Sequence, residues 1–168
     1  PVLRALCLRR TPFVGFLFVG LMLTAQGPRL LEFNVRLGDP EAQAILPRLS
    51  QGEFLRLCHA MVKGPLDGFV LSTLPVATCA VVVAAYGYPQ AVRTGDGITI
   101  DEEALVRSGA TLLHAGTRRH NGVLQTAAGR VLTVVGQGRS TEEARRAAYD
   151  GVTSVQFSGM QYRRDIGK

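Results

Sequence analysis

Leu30-Leu31-Glu32-Phe33-Asn34-Val35-Arg36-Leu37-Gly38-Asp39-Pro40-Glu41, continuing through Ala42-Gln43-Ala44-Ile45-Leu46-Pro47-Arg48, is the stretch on which the reading of this chain turns. A period of two places Glu32, Asn34 and Arg36 on one face of a predicted strand over 29–37, and Leu31, Phe33, Val35 and Leu37 on the other. A carboxylate, an amide oxygen and a guanidinium thus point the same way from a backbone that the apolar face should anchor. Those groups suit a hard cation beside a phosphate: Glu32 and Asn34 offer oxygens to Mg2+, and Arg36 can grip an anion with two parallel N–H donors. Gly38-Asp39-Pro40-Glu41 then reads as a helix start, with Asp39 as N-cap, Pro40 as first helical residue and Glu41 as a first-turn acid. The free N–H groups of that helix start would favour an anion. On these grounds Asp39 is divided evenly between cap and ligand.

Working upstream, Phe13 to Leu23 is a mostly apolar run behind Arg4, Arg9 and Arg10, a pattern that imitates a secretory leader. The run is well short of the roughly 20 residues that a membrane span needs. Because Ala25-Gln26-Gly27-Pro28 leads directly into the Leu30 strand, strands at about 14–24 and 29–37 are expected to form a hairpin of buried strands. Residues 2–9 read as a helix ended by Thr11-Pro12. Position 1 is Pro and not Met, from which an upstream part of the protein is expected.

Downstream, Phe54, Leu55, Leu57, Cys58 and Met61 recur at helical spacing and predict an amphipathic helix from Gly52 to Lys63. Gly64-Pro65-Leu66-Asp67-Gly68 marks a turn and a boundary, which divides the chain into residues 1–66 and 67–168. Val76 to Ala85 is a small and β-branched run suited to a strand buried on both faces. A helical turn around Asp101–Arg107 follows. Thr111–Ala115, Val123–Gln125 and Arg130–Val135 read as antiparallel strands between glycine turns. Ser140-Thr141-Glu142-Glu143 opens a helix whose buried stripe is Ala144, Ala147, Ala148, Val152 and Val155.

Composition narrows the function classes. At 168 residues, 46% hydrophobic and 19% charged, the chain can bury a core and is not a disordered tail. The net charge of +6 rests almost wholly on arginine, since Lys63 and Lys168 are the only lysines. The arginines are scattered, so the charge is read as suiting anionic small molecules, with neither nucleic acid nor membrane as partner. Cys7, Cys58 and Cys79 are an odd number at wide spacing, which indicates neither a disulfide framework nor a zinc site. Gly136-Gln137-Gly138 lacks the further glycines of a phosphate loop, and His114 has no nucleophile motif around it.

Glu32-Phe33-Asn34-Val35-Arg36 resembles the last active-site strand of the ATP-grasp ligases. With Leu37-Gly38-Asp39-Pro40-Glu41 it is similar to the phosphoribosylamine-glycine ligase family within them. Gly20-Leu21-Met22-Leu23-Thr24, Gly87-Tyr88-Pro89, Gly95-Asp96 with Ile98, His114-Ala115-Gly116-Thr117, Gly129-Arg130-Val131-Leu132 and Tyr162-Arg163-Arg164-Asp165-Ile166-Gly167 also match, in the family's order. The resemblance implies an α+β fold: the C-terminal part of an ATP-grasp domain, then a small antiparallel-sheet domain with a packed helix. It implies a cytoplasmic enzyme of purine biosynthesis joining glycine to 5-phosphoribosylamine, with ATP as co-substrate and Mg2+ or Mn2+ as cofactor. Glu32 and Asn34 would be the metal ligands; Arg36, Gly38 and Asp39 would lie against substrate, with Arg36 and Asp39 catalytic. The other half of the nucleotide site would lie in upstream domains of the same protein, so that this piece alone is expected not to turn over. Leu37 where the family has Phe, Phe18-Val19 where it has Tyr-Ala, and Ala128 where it has Gly depart from its pattern without touching the chemical residues. Another ATP-grasp carboxylate-amine ligase and a non-enzymatic Mg-nucleotide binding module are the alternatives.

Overall fold

The computed structural model describes residues 1–168, whose contacts divide them into two units: 1–39 with 49–73, and 40–48 with 74–168.

In the first unit, helix α1 (Val2–Leu8) precedes strands β1 (Phe18–Thr24) and β2 (Gly27–Asn34), which pair antiparallel. The hairpin expected from the sequence is present, and its turn is tied by Thr24, whose Oγ1 donates to the Gly27 carbonyl over 2.8 Å. Its outer ends are shorter than expected, while β2 begins at Gly27, ahead of the expected start at 29. Gly15 adopts φ +145°, which interrupts the extended chain before Phe18. Phe18 is the partner of Asn34, so β2 has nothing to pair with beyond Asn34, and Val35-Arg36 bend away.

The expectation of buried strands is not met. Val19, Leu21, Leu23, Leu30, Leu31 and Phe33 are all exposed, Leu23 by 83%. Two strands with no third element on either face have nothing in this chain to bury them. A bulge adds to the arrangement. Gly20 opposes Glu32 but Leu21 opposes Leu30, leaving Leu31 as the extra residue in β2. Because cross-strand partners share a face, the bulge puts Leu30 beside Leu21 and Leu23 and leaves Glu32 with Gly20 on the other side.

Helix α3 (Glu53–Lys63) completes this unit, held to the segment after it by one polar node. Glu53 accepts from Arg56 Nη2 at 2.6 Å and from the Ser72 N–H at 2.8 Å, and the Arg56 guanidinium lies 4.1 Å over the Phe69 ring. These bonds to the charged form hold the Glu53 carboxyl down at about 2.

The second unit begins with helix α2 (Glu41–Ile45), which tightens into a 3-10 turn at Leu46–Arg48. Pro47 has no N–H to continue the α-helical ladder, which accounts for the early tightening. Strand β3 (Ala77–Ala84) lies between β8 (Arg130–Gly138) and β10 (Gln161–Tyr162), and β8 also pairs with β5 (Thr111–His114), all antiparallel. Shorter elements frame this sheet: β4 (Thr99–Ile100) with β9 (Val155–Gln156), α4 (Glu102–Ser108), and the hairpin of β6 (Thr117–His120) and β7 (Val123–Thr126).

Helix α5 (Thr141–Val152) covers one face of the sheet. Ser140 caps it, its Oγ accepting from the Glu143 N–H at 3.2 Å. Close approach is possible because Gly138 faces the start of the helix, where a Cβ would come within 2.7 Å of the Ala144 nitrogen. Val81, Val83, Leu132, Val134, Ala144 and Ala148 are completely buried between helix and sheet.

Candidate active site

Backbone pairing sets the geometry of the polar strand. Phe18 opposite Asn34 and Gly20 opposite Glu32 place both oxygen-bearing side chains on one face of the β1–β2 hairpin. Gly20 makes room for the acid: a Cβ there would stand 3.1 Å from Glu32 Cγ. Glu32 is exposed and its carboxylate has no ion-pair partner.

Arg36 lies beyond the strand and not on its period-two face, yet it still meets the site. Its Nη2 donates to Asn34 Oδ1 at 3.3 Å while Nη1 donates to the Leu37 carbonyl at 2.8 Å. The guanidinium is thereby folded back over the strand end. Gly38 is buried directly after it and Asp39 is exposed.

The expected helix start is displaced by one residue. Pro40, and not Asp39, occupies the cap position, its own side chain makes no capping bond, and the helix is only five residues long. A proline ring fixes φ but supplies no side-chain acceptor for the N–H groups that follow. Asp39 thus stands one residue ahead of the cap position.

As a donor set, a carboxylate oxygen and an amide oxygen on one face are hard ligands of the kind that a divalent cation takes. The amide oxygen has two lone pairs, so the bond from Arg36 leaves one for a cation. These two residues fit a divalent metal as part of its ligand shell, with no cluster of three His, Cys, Asp or Glu in the chain.

Other reactive groups carry no chemistry of this kind. Burial pushes the Cys79 thiol up, against a smaller opposing pull from Arg145, so it stays protonated. His114 Nδ1 lies 3.0 Å from Thr117 Oγ1 at an exposed strand end.

Comparison with known proteins places these residues in a wider setting. The family model "Phosphoribosylglycinamide synthetase, C domain" matches residues 78–168, and "Phosphoribosylglycinamide synthetase, ATP-grasp (A) domain" matches residues 1–42. The phosphoribosylamine–glycine ligase of Ralstonia nicotianae is 44% identical over 99% of this chain and 39% of its own length. A bifunctional purine biosynthetic protein of Schizosaccharomyces pombe is 47% identical over 92% of this chain and 19% of its own. The crystal structure of phosphoribosylamine–glycine ligase from Thermotoga maritima superposes with a TM-score of 0.75 at 39% identity, covering 90% of this chain and 36% of that one. The chain thus spans about two fifths of the Ralstonia ligase and less of the other two.

Proposed function

We propose, because this chain belongs to the phosphoribosylglycinamide synthetase family, that it forms part of an ATP-dependent ligase joining glycine to 5-phosphoribosylamine. The reaction would give glycinamide ribonucleotide, ADP and phosphate through glycyl phosphate, in the cytoplasm, as a step of purine biosynthesis. Residues 1–66 would close the ATP-grasp domain and residues 67–168 would form the C-terminal domain.

One observation carries the reading: Glu32 and Asn34 share a face, with Arg36 bonded to Asn34, inside the segment matched by the ATP-grasp domain. Glu32 and Asn34 would hold Mg2+ or Mn2+, which when bound offsets negative charge on the phosphates of ATP. Arg36 carries a permanent cation whose fork can take a phosphate or carboxylate oxygen pair. The turn at Gly38-Asp39 brings backbone close to substrate, and Asp39 adds a carboxylate suited to the substrate amine. No protein nucleophile is required, since positioning and charge stabilisation suffice for phosphoryl transfer.

The test uses a polypeptide of the length of the relatives, assayed for ADP formation dependent on both glycine and phosphoribosylamine. Glu32→Gln and Asn34→Ala should each lower kcat by about a hundredfold or more and raise the Mg2+ concentration needed for half-maximal rate. Unchanged turnover in both variants would remove the metal assignment. Activity with a different acid and amine, and none with glycine, would redirect the substrate assignment. The 168-residue chain alone should give no glycine-dependent ADP.

A further inference from the structure

Helix α2 lies on the face of the four-stranded sheet turned away from α5. Cys79, Val81 and Val83 of β3 are buried with Ala144 and Ala148 of α5, so alternation sends Thr78, Ala80 and Val82 to the other face. That row is regular as far as Val83, which opposes Leu132; Ala84 then opposes Arg130, so Val131 is an extra residue in β8. Pro40 and Ala44 share one cleft with Thr78 and Ala80, and Pro40 shares another with Val82.

Two bonds tie the segment of residues 40–48 to the chain around β3. Thr78 Oγ1 donates to the Ala44 carbonyl at 2.6 Å, and the Leu74 N–H donates to the Arg48 carbonyl at 2.7 Å. The first of these answers a need written in the sequence. Ala44 stands in the last turn of a five-residue helix, where carbonyls lack helical partners, and Pro47 three residues on has no N–H to offer it. Thr78 supplies the donor that Pro47 lacks.

We propose that Thr78 is a positioning residue for the candidate site, acting through α2 on the turn at Gly38-Asp39. The connection is one peptide bond long, because Asp39 is followed directly by Pro40 at the head of α2. Proline fixes its own φ and disfavours helical backbone in the residue before it, so the link has little slack. Pinning α2 therefore pins the backbone of Asp39. Thr78 lies outside the donor set of Glu32, Asn34 and Arg36, and its hydroxyl bonds to protein and not to metal or substrate. Its contribution is to hold the turn still, since a displacement of about 1 Å at a reacting group costs about a hundredfold in rate. The inference rests on the ligase reading for what the Asp39 carboxylate meets.

The experiment compares Thr78→Val, which removes the hydroxyl at nearly constant volume, with Thr78→Ser, which keeps it. In the 15N-labelled 168-residue chain, Thr78→Val should shift the amide signals of Gly38 and Asp39 together with those of α2, and leave the β6–β7 hairpin unchanged. In a polypeptide of the length of the relatives, Thr78→Val should lower kcat for glycine-dependent ADP formation by about tenfold or more, with KM for ATP moved by less than about twofold, and Thr78→Ser should recover most of the loss. In an Asp39→Ala background, itself impaired, Thr78→Val should cost less than about twofold further. Ser140→Ala, which loses a cap on α5, is the control for stability alone and should keep the parent kcat. Unmoved Gly38 and Asp39 signals, a parental kcat in Thr78→Val, an equal loss in Thr78→Ser, full activity of Asp39→Ala, additive losses in the double variant, or a comparable loss in Ser140→Ala would each overturn the proposal. If Glu32→Gln abolishes turnover while Thr78→Val matches the parent, only the positioning role falls. If the amide shifts appear but the parent polypeptide shows no glycine-dependent turnover, the ligase reading falls and the tie from Thr78 to the turn stands.

Discussion

The β1–β2 hairpin and the β3–β8 pair are built from similar sequence and have opposite fates. Phe18-Val19-Gly20-Leu21-Met22-Leu23 is as apolar as Ala77-Thr78-Cys79-Ala80-Val81-Val82-Val83, yet Leu21 and Leu23 are exposed whereas Val81 and Val83 are completely buried. The difference lies in cover. Strands β3 and β8 have α5 across one face and strand neighbours on both sides, and the hairpin strands have only each other. Apolar sequence states that a face must be covered; it does not state by what. The residues proposed to hold metal lie in the less self-sufficient of these two places.

The contrast can be broken most directly by truncation. Leu132→Ala should destabilise the second unit by about 2–5 kcal/mol, since the cavity it leaves is walled by α5 and β3. Leu23→Ala should move stability by no more than about 0.5 kcal/mol. Urea unfolding followed by circular dichroism checks both, and a comparable loss at Leu23 would mean that the hairpin face is covered in solution.

Hydrogen exchange sharpens the same comparison. Amides of β1 and β2 should exchange at least about a hundredfold faster than those of the interior of β8, because a two-stranded hairpin opens without unfolding the rest. Equal protection in the two places would contradict it.

A smaller effect is expected at the helix that provides the cover. Ser140→Ala should cost about 1 kcal/mol by freeing the Glu143 N–H at the start of α5. Equal unfolding midpoints for variant and parent would show that the cap is dispensable.

The smallest effect is pH-dependent and belongs to the first unit. Glu53 is held at about 2 when folded, below its ordinary value of 4.5, so its contribution is fully present above that ordinary value and fades as the pH falls toward 2. Glu53→Gln should therefore be less stable than the parent at pH 7, with the gap narrowing steadily below about pH 4.5. A gap that stays constant with pH would mean that the Arg56 and Ser72 bonds to Glu53 do not persist in solution.

Much of the second unit was legible because local chemistry and tertiary packing agree there. The apolar run at Val76–Ala85, the Ser140 cap and the alanine stripe of α5 each state their own role. Strand β6 was missed because Thr117-Arg118-Arg119-His120 has no apolar periodicity and is extended only through its pairing with β7. In the candidate site, the shared face of Glu32 and Asn34 was legible from alternation alone. The exit of Arg36 from the strand was not, because it depends on where β1 stops supplying partners. The short α2 followed from Pro47, which was visible in the sequence and was not given its weight.

A strand offers each side chain only two addresses, and counting from one end assigns them by odd and even. The extra residue in β8 resets that count, so that Arg130 and Leu132, two apart in sequence, serve opposite walls. Leu31 does the same for Leu30 and Glu32 in β2. Each of these arginine and glutamate positions is therefore specified by chain length as much as by residue type. Deleting Val131 would leave every chemical group of the strand present and send the guanidinium to the wrong side. Alignments that place a gap near residue 131 would thus be informative about the face on which Arg130 stands even where Arg130 itself is unchanged.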